Sequence, residues 1–379
     1  MGAFRGVLGL QFASWLVASS LAQGPPQHST QAVAAPEKVV LTEVSTVDVP
    51  SLPAESVVAP LLCDADGRIL LRLAMPDTGV EDPVSVSRDG KTVIRFGREK
   101  MSDIPRPVIA SVFLSGSDVY VLARGSTPVG SQTGWRTPTG EIQSQPASKG
   151  GTFVARFQRD GMYAGAVRLD VPFHPLHIGV FDNGDFLVAG ADRSTNEPRL
   201  AIVASNGQFR RLVELQGDVH GQESAPLGKG TDPTALPRFK GSQGVEGSLF
   251  SVVYTSQIAR DGPNLLLFRP INGPVFSISP SGEVQVHRLK VEGDYKPYTI
   301  KVARDSWIVE LMHHAPNGKE EEFSTYAFDS ESGAALREYF FPADMGWGLA
   351  CTDGDQFTFV MANSETNSLR LVTLAPLGK

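Results

Sequence analysis

Helix is what this sequence lacks. After residue 38, almost no stretch carries apolar residues at a helical period for three turns, which points to an all-β chain. Clustered positive charge is also missing. The formal net charge is −7 and no basic patch stands out, so phosphate-driven binding of nucleic acid is not expected. Long apolar runs are confined to the N-terminus, and no later segment has the roughly 20 apolar residues of a membrane-spanning helix. Cysteine is reduced to two residues, Cys63 and Cys351. The familiar catalytic signatures are missing as well: no Gly-x-Ser-x-Gly elbow, no His-Glu-x-x-His helix, no P-loop and no Gly-rich dinucleotide loop.

What is present begins with an export signal over residues 1–22. Arg5 is its only charge, an apolar stretch runs from Val7 to Leu21, and Ser20-Leu21-Ala22 fits a small-x-small cleavage site. A membrane anchor is the competing reading, but the apolar stretch is too short for a span. No cysteine follows the site closely, which argues against a lipid anchor. Residues 23–37 read as a polar, proline-bearing tether without fixed structure. Residues 38–379 are expected to form one domain, giving an exported monomer of the periplasm or the extracellular space.

Glycine (38 residues) and proline (27) suit a fold with many short turns. Turn glycines recur at Gly67, Gly90, Gly116, Gly161, Gly184, Gly207, Gly282, Gly333 and Gly354, mostly after Asp, Asn or Ser. Such pairs supply the positive φ angles that tight hairpins need. The steps 67 to 90, 161 to 184 and 184 to 207 are each 23 residues, a hairpin repeat whose doubled period of about 45 matches one four-stranded propeller blade. Two hairpin types alternate. FVARFQRDGMYAGAVRL and its relatives alternate with LHIGVFDNGDFLVAGA and its relatives, as outer and inner strand pairs of a blade would.

In this pattern of turns and apolar residues, roughly residues 58–375 resemble the NHL-type six-bladed β-propellers. The resemblance implies a fold, six four-stranded blades around a central channel, and no particular activity. Blades are expected at 58–97, 108–172, 175–216, 248–292 and 297–342, with only three strands at 346–374. Residues 38–47 are expected to supply the missing strand, so that an N-terminal strand joins the C-terminal blade and removes the exposed edges. Five or seven blades fit the same period. A β-sandwich is the competing fold and explains the alternation less well.

Strand parity places all tight glycine turns on one face. The two long insertions, 125–150 and 217–247, then fall on the other face, and loops of that length are usually functional or disordered. The residues entering the innermost strands, Arg106, His177, Glu246, Tyr298 and Trp347, are expected to ring the channel mouth there. One basic, one acidic, one titratable and two aromatic side chains suit a small polar ligand such as a sugar or an organic acid; an ordinary rim is the plainer reading. His174 and His177 with Glu246 offer possible metal ligands, but their spacing matches no metal signature. No cofactor is therefore assigned, a divalent ion being the one the residues would admit. Regucalcin and gluconolactonase-like propellers hold a channel ion with Glu, Asn and Asp, and of the five mouth residues only Glu246 fits that set. The expected function is a ligand-binding or protein-interaction module, its partner an unidentified protein or a small polar ligand. The alternative is a propeller hydrolase or lyase acting on a sugar or lactone in the channel.

Cys63 falls in the first strand of the first blade and Cys351 in the first strand of the last. In a closed ring those strands are neighbours at nearly the same height. Export makes oxidation feasible, and a bridge would close a loop of about 288 residues. The alternative is two thiols that fill core positions as small hydrophobes. A bridge requires Cα atoms within about 7 Å.

Overall fold

Tight turns set the architecture. The computed structural model describes residues 35–377 apart from 54–56, 65, 75–80, 137–141, 217–237, 241–245, 249–252, 270–273, 291–295, 305, 315–320, 342–347 and 364. The signal at 1–22 and most of the tether lie outside the described residues. Every turn glycine named above adopts positive φ, from +59° at Gly116 to +86° at Gly207. The glycine N–H returns to the carbonyl three residues back, Gly161 to Gln158, Gly184 to Phe181 and Gly207 to Ala204. Asn183 and Asn206 complete their turns by accepting, through Oδ1, the N–H groups of Asp185 and Gln208.

Each turn folds one strand onto the next, and hairpins pair into sheets. The first strand, β1 (Glu37–Val49), is followed by β2 (Val57–Cys63), β3 (Ile69–Ala74), β4 (Glu81–Val86) and β5 (Val93–Arg95), which form a four-stranded sheet in that order. The next sheet holds β6 (Val108–Ser115), β7 (Asp118–Arg136), β8 (Ile142–Phe157) and β9 (Tyr163–Leu169). A third holds β10 (His174–Val180), β11 (Phe186–Ala191), β12 (Pro198–Val203) and β13 (Phe209–Leu212). A two-stranded ribbon of β14 (Arg238–Lys240) and β15 (Glu246–Ser248) precedes a fourth sheet of β16 (Gln257–Asp261), β17 (Asn264–Phe268), β18 (Pro274–Ile278) and β19 (Val284–Arg288). The chain ends with β20 (Lys296–Val302), β21 (Ser306–His314), β22 (Glu321–Asp329), β23 (Ala335–Phe340), β24 (Leu349–Asp353), β25 (Gln356–Asn363) and β26 (Ser368–Pro376). These seven and β1 make one eight-stranded sheet, ordered β20-β21-β22-β23-β1-β26-β25-β24.

The chain is all-β with a propeller-like arrangement. The strands β2, β6, β10, β16, β20 and β24 each end a sheet, and each lies against the next in a closed cycle, β24 returning to β2. Apolar residues fill the spaces between successive sheets. Phe96 meets Phe157 of the following sheet edge-on at 5.7 Å, and Leu266 and Phe268 pack with Ile300, Trp307 and Val309. The eight-stranded sheet also packs on itself: Tyr339 and Phe357, from its two halves, lie 4.6 Å apart. Four of the second-hairpin turns repeat one contact around the ring, while Gly282 meets the Arg211 guanidinium instead. Gly161 approaches the carbonyl of Arg95 in the edge strand of the preceding sheet, Gly207 that of Arg168, Gly333 that of Arg288, and Gly90 that of Asp48 in β1. β1 thus meets the first sheet just as an outer strand would.

Three expectations are sharpened by these strands. The N-terminal strand pairs antiparallel with β26 from Leu41 to Val49, as expected, but its first residues Glu37–Val40 also pair parallel with Arg337–Phe340 of β23. It therefore fuses two strand groups where joining one was expected, and it begins at Glu37, one residue before the expected strand. The insertion at 125–150, expected as a loop, continues the β7–β8 ladder as a long ribbon. Its register shifts between Pro128 and Gln132, where proline has no N–H to give the ladder. Within 217–247, Arg238–Lys240 and Glu246 belong to the β14–β15 ribbon.

The ring is also closed near its axis. Cys63 and Cys351 form a disulfide with Cα atoms 5.2 Å apart, so the bridging alternative holds. Serine at both positions should lower stability by about 2–5 kcal/mol, read as a shift in the urea midpoint. Gly207→Ala should cost about 2–3 kcal/mol, because an added Cβ would sit 2.0 Å from Arg168 O at a φ of +86°. Gly184→Ala has almost the same φ, +82°, but its Cβ would meet only Ser205 Cβ at 3.6 Å. It should cost about 1 kcal/mol, and denaturant unfolding of the pair separates the two causes.

Candidate functional site

An innermost strand has a ladder on one side only, so its other edge presents backbone groups to the centre of the ring, and buried groups of that kind need partners. Here the partners come from side chains of neighbouring sheets. Arg72 Nη1 on β3 donates to Ala110 O on β6 at 2.9 Å. Gln257 Nε2 on β16 donates to Tyr298 O on β20 at 3.1 Å. Arg260 on β16 donates to Val180 O on β10, and Lys301 Nζ on β20 donates to Leu61 O on β2. Ala110 and Tyr298 are the extra residues of β-bulges, at Ile109/Ser111 and Pro297/Thr299. Comparable register shifts interrupt β2, β10 and β24. A bulge releases one residue from its ladder and re-aims it.

The end of the ring away from the tight turns is polar. Gln257 fixes three groups of β20: besides Tyr298 O, its Oε1 accepts from Thr299 Oγ1 at 2.9 Å and from Ile300 N at 3.3 Å. His177, half-buried on β10, uses Nε2 to reach Val253 O at 2.8 Å. Burial depresses its pKa to about 4 against the pull of the Val253 carbonyl, and the Arg269 and Arg72 charges lower it further. The ring is therefore neutral at pH 7. Arg269 is fully buried and donates to Ser256 Oγ at 2.7 Å.

Of the mouth residues expected from sequence, His177 and Tyr298 lie at this end, half-buried, on β10 and β20. Arg106 is exposed on the approach to β6, at a φ of +47°. Glu246 lies in β15, and the innermost strand expected to follow it begins instead at Gln257; its side chain and Trp347 fall outside the described residues. The displacement has a local cause. The blade was expected to begin at 248, but Val253–Thr255 forms a helical turn whose Val253 packs with Leu176 and Ala191. Arg72, Gln257, Arg269, Lys301 and Glu310 escaped the sequence reading because nothing local marks them.

The tight-turn end is crossed by two cations at equivalent positions. Arg260 and Lys301 each occupy the next-to-last ladder pair of their innermost strands, opposite Leu265 and Ile308. Arg260 reaches back to Val180 O, to Asp182 and, past β10, to Ser115 Oγ on β6. Lys301 reaches the other way, past β24, to Leu61 O. On β21 beside Lys301 lies Glu310, 2% exposed. Burial lowers Lys301 to about 8 and raises Glu310 to about 7, each opposed by the other's charge.

No family model and no curated protein matches the chain. Among solved structures it is similar to virginiamycin B lyase from Staphylococcus aureus, at 11% identity over 89% of this chain and 100% of that one, with a TM-score of 0.40. A DUF4221 family member from Bacteroides vulgatus is 10% identical over 88% and 97% of the two chains, with a TM-score of 0.45. A luciferin-regenerating enzyme is 8% identical over 88% and 96%, with a TM-score of 0.43. Likenesses this distant carry no functional argument, and the propeller-like arrangement rests on the strand order above.

His177 and Glu310 pull stability in opposite directions with pH. The unfolded chain protonates His177 near 6.5 and the fold only near 4, so stability from the neutral ring is lost as pH falls through that window. The fold keeps the Glu310 proton up to about 7 while the unfolded chain releases it near 4.5. That contribution is present at low pH and lost as pH rises to 7. Relative to wild type, Glu310→Gln should therefore lose about 2–3 kcal/mol more on acidification from pH 6.5 to 4.5. His177→Asn should shift the other way, and urea midpoints across the window check both signs.

Proposed function

We propose that the chain is an exported, monomeric six-bladed β-propeller that binds a small polar ligand in its central channel, entered from the face opposite the tight turns. The eight-stranded sheet is read as two four-stranded blades joined through β1, which completes the last blade while gripping the one before it. Each member of the cycle β2, β6, β10, β16, β20 and β24 then heads one blade. This count agrees with the resemblance to NHL-type propellers at the level of fold. Export is supported by the Cys63–Cys351 bridge, which suits an oxidising compartment. Among the described residues no helix is long and apolar enough to cross a membrane.

One observation carries the ligand reading: the two ends of the ring differ. Arg260 and Lys301 reach across it near the tight turns, which favours entry from the other end. At the other end His177, Gln257 and Thr299 line the entrance with neutral donors and acceptors. A recess walled by apolar sheets and furnished with a few fixed polar groups is the usual form of a small-molecule site.

The test is a thermal-shift panel of sugars, sugar acids, lactones and organic acids on the mature protein, followed by calorimetry on any hit. A hit should lose about tenfold or more in affinity with His177→Asn (about 1.4 kcal/mol per tenfold). Phe209→Ser, on the outermost strand β13, should leave it unchanged. A panel without a single shift overturns the reading. Turnover of a lactone, rather than binding alone, would favour the hydrolase or lyase.

A further inference from the structure

We propose that Lys301 is a reactive amine that captures a small carbonyl compound, an aldehyde or a ketone, as an imine inside the ring; this rests on the reading that small polar ligands enter the channel. Three features carry it. First, Lys301 stands on an innermost strand and extends across the ring, its Nζ held at Leu61 O on a strand two places away in the cycle. The amine is thus fixed in position, where a surface lysine samples many rotamers. Second, Lys301 is half-buried, so part of its side chain stays open to small molecules in solution.

Third, the surroundings favour the neutral amine. Desolvation lowers Lys301 to about 8, and Glu310 is the one charged group that bears on it in the opposite sense. At pH 7 about a tenth of such an amine is neutral, against a few parts in ten thousand for an ordinary lysine. Only the neutral form is nucleophilic, and a desolvated lysine is the usual source of imines with carbonyl substrates. The step balances without an oxidant or reductant. The Nζ lone pair adds to the carbonyl carbon, a C–N bond forms, and the C=O π pair moves to oxygen. The two protons shed by nitrogen end on that oxygen, which leaves as water, and the C=N bond closes. Glu310, 2% exposed, does not meet the ligand. It is a positioning residue whose field sets how much of the amine is charged.

The experiment uses the mature wild-type protein with glyoxylate and sodium cyanoborohydride, which fixes an imine as a stable secondary amine. Adducts are then mapped by peptide mass spectrometry. At pH 7.5, Lys301 should be modified about tenfold or more faster than the exposed Lys38 and Lys91. Its rate should rise with pH about a midpoint near 8, and Glu310→Gln should move that midpoint to lower pH by removing the group that favours the ammonium. Modification of Lys301 no faster than Lys38 and Lys91 overturns the proposal. Thermal shifts by ligands lacking an aldehyde or ketone, with Lys301 unmodified, would overturn the imine and leave channel binding standing. A fast Lys301 adduct with no shift from such ligands would support the imine alone.

Discussion

The structure depends on how it treats the inner edge of its innermost strands. Those edges face the centre of the ring, where no further strand can pair with them. Ala110, Val180, Tyr298 and Leu61 each offer a carbonyl there, and each is met by a side chain from a different sheet: Arg72, Arg260, Gln257 and Lys301. Every such contact ties one sheet to another, so the sheets are mutually dependent beyond the apolar packing between them. Long, donor-rich side chains are required because the reach is several ångströms. That requirement leaves cations and amides around the axis, and the same groups give the channel its chemistry. Scaffold and site are here one set of interactions.

Closure follows the same logic at the rim. β1 adds to β26 by antiparallel pairing and to β23 by parallel pairing, and its Asp48 carbonyl lies against the turn of the first sheet. Thus one strand contacts three strand groups, and the Cys63–Cys351 bridge joins the first and last innermost strands where β1 does not reach. The two closures lie at opposite edges of the sheets, β1 on the outer side and the disulfide at the innermost strands.

Much of this was legible in the sequence where a residue type answers to a single backbone demand. Positive φ in a two-residue turn is nearly reserved for Gly, Asn and Asp, so the turn glycines mark the hairpins and the hairpins mark the repeat. The cysteine pair was legible because ring topology brings its two strands together. Legibility failed where composition serves two structures equally. The apolar Val253 and Tyr254 suit a strand or a short helical turn, and the turn moves the fourth innermost strand on to Gln257. Gly, Pro and polar residues at 125–150 mimic a loop although the ladder continues through them. The cross-ring partners were invisible for a different reason: Lys301 and Leu61 lie 240 residues apart, and nothing local marks either.

The pairing of β1 also sets the order of events in synthesis. Its partners, Arg337–Phe340 and Leu369–Pro376, lie some three hundred residues downstream. During synthesis β1 emerges before these partners and finds neither to pair with until almost all of the chain between them has been made. Long-range pairing of this kind is slow, and an unpaired strand is exposed to wrong partners meanwhile. Only five of the thirteen residues of β1 are buried or half-buried in the final fold, and its acidic and hydroxyl residues keep it soluble while it waits. With just two cysteines, oxidation within the chain has a single possible product, the bridge between the first and last innermost strands.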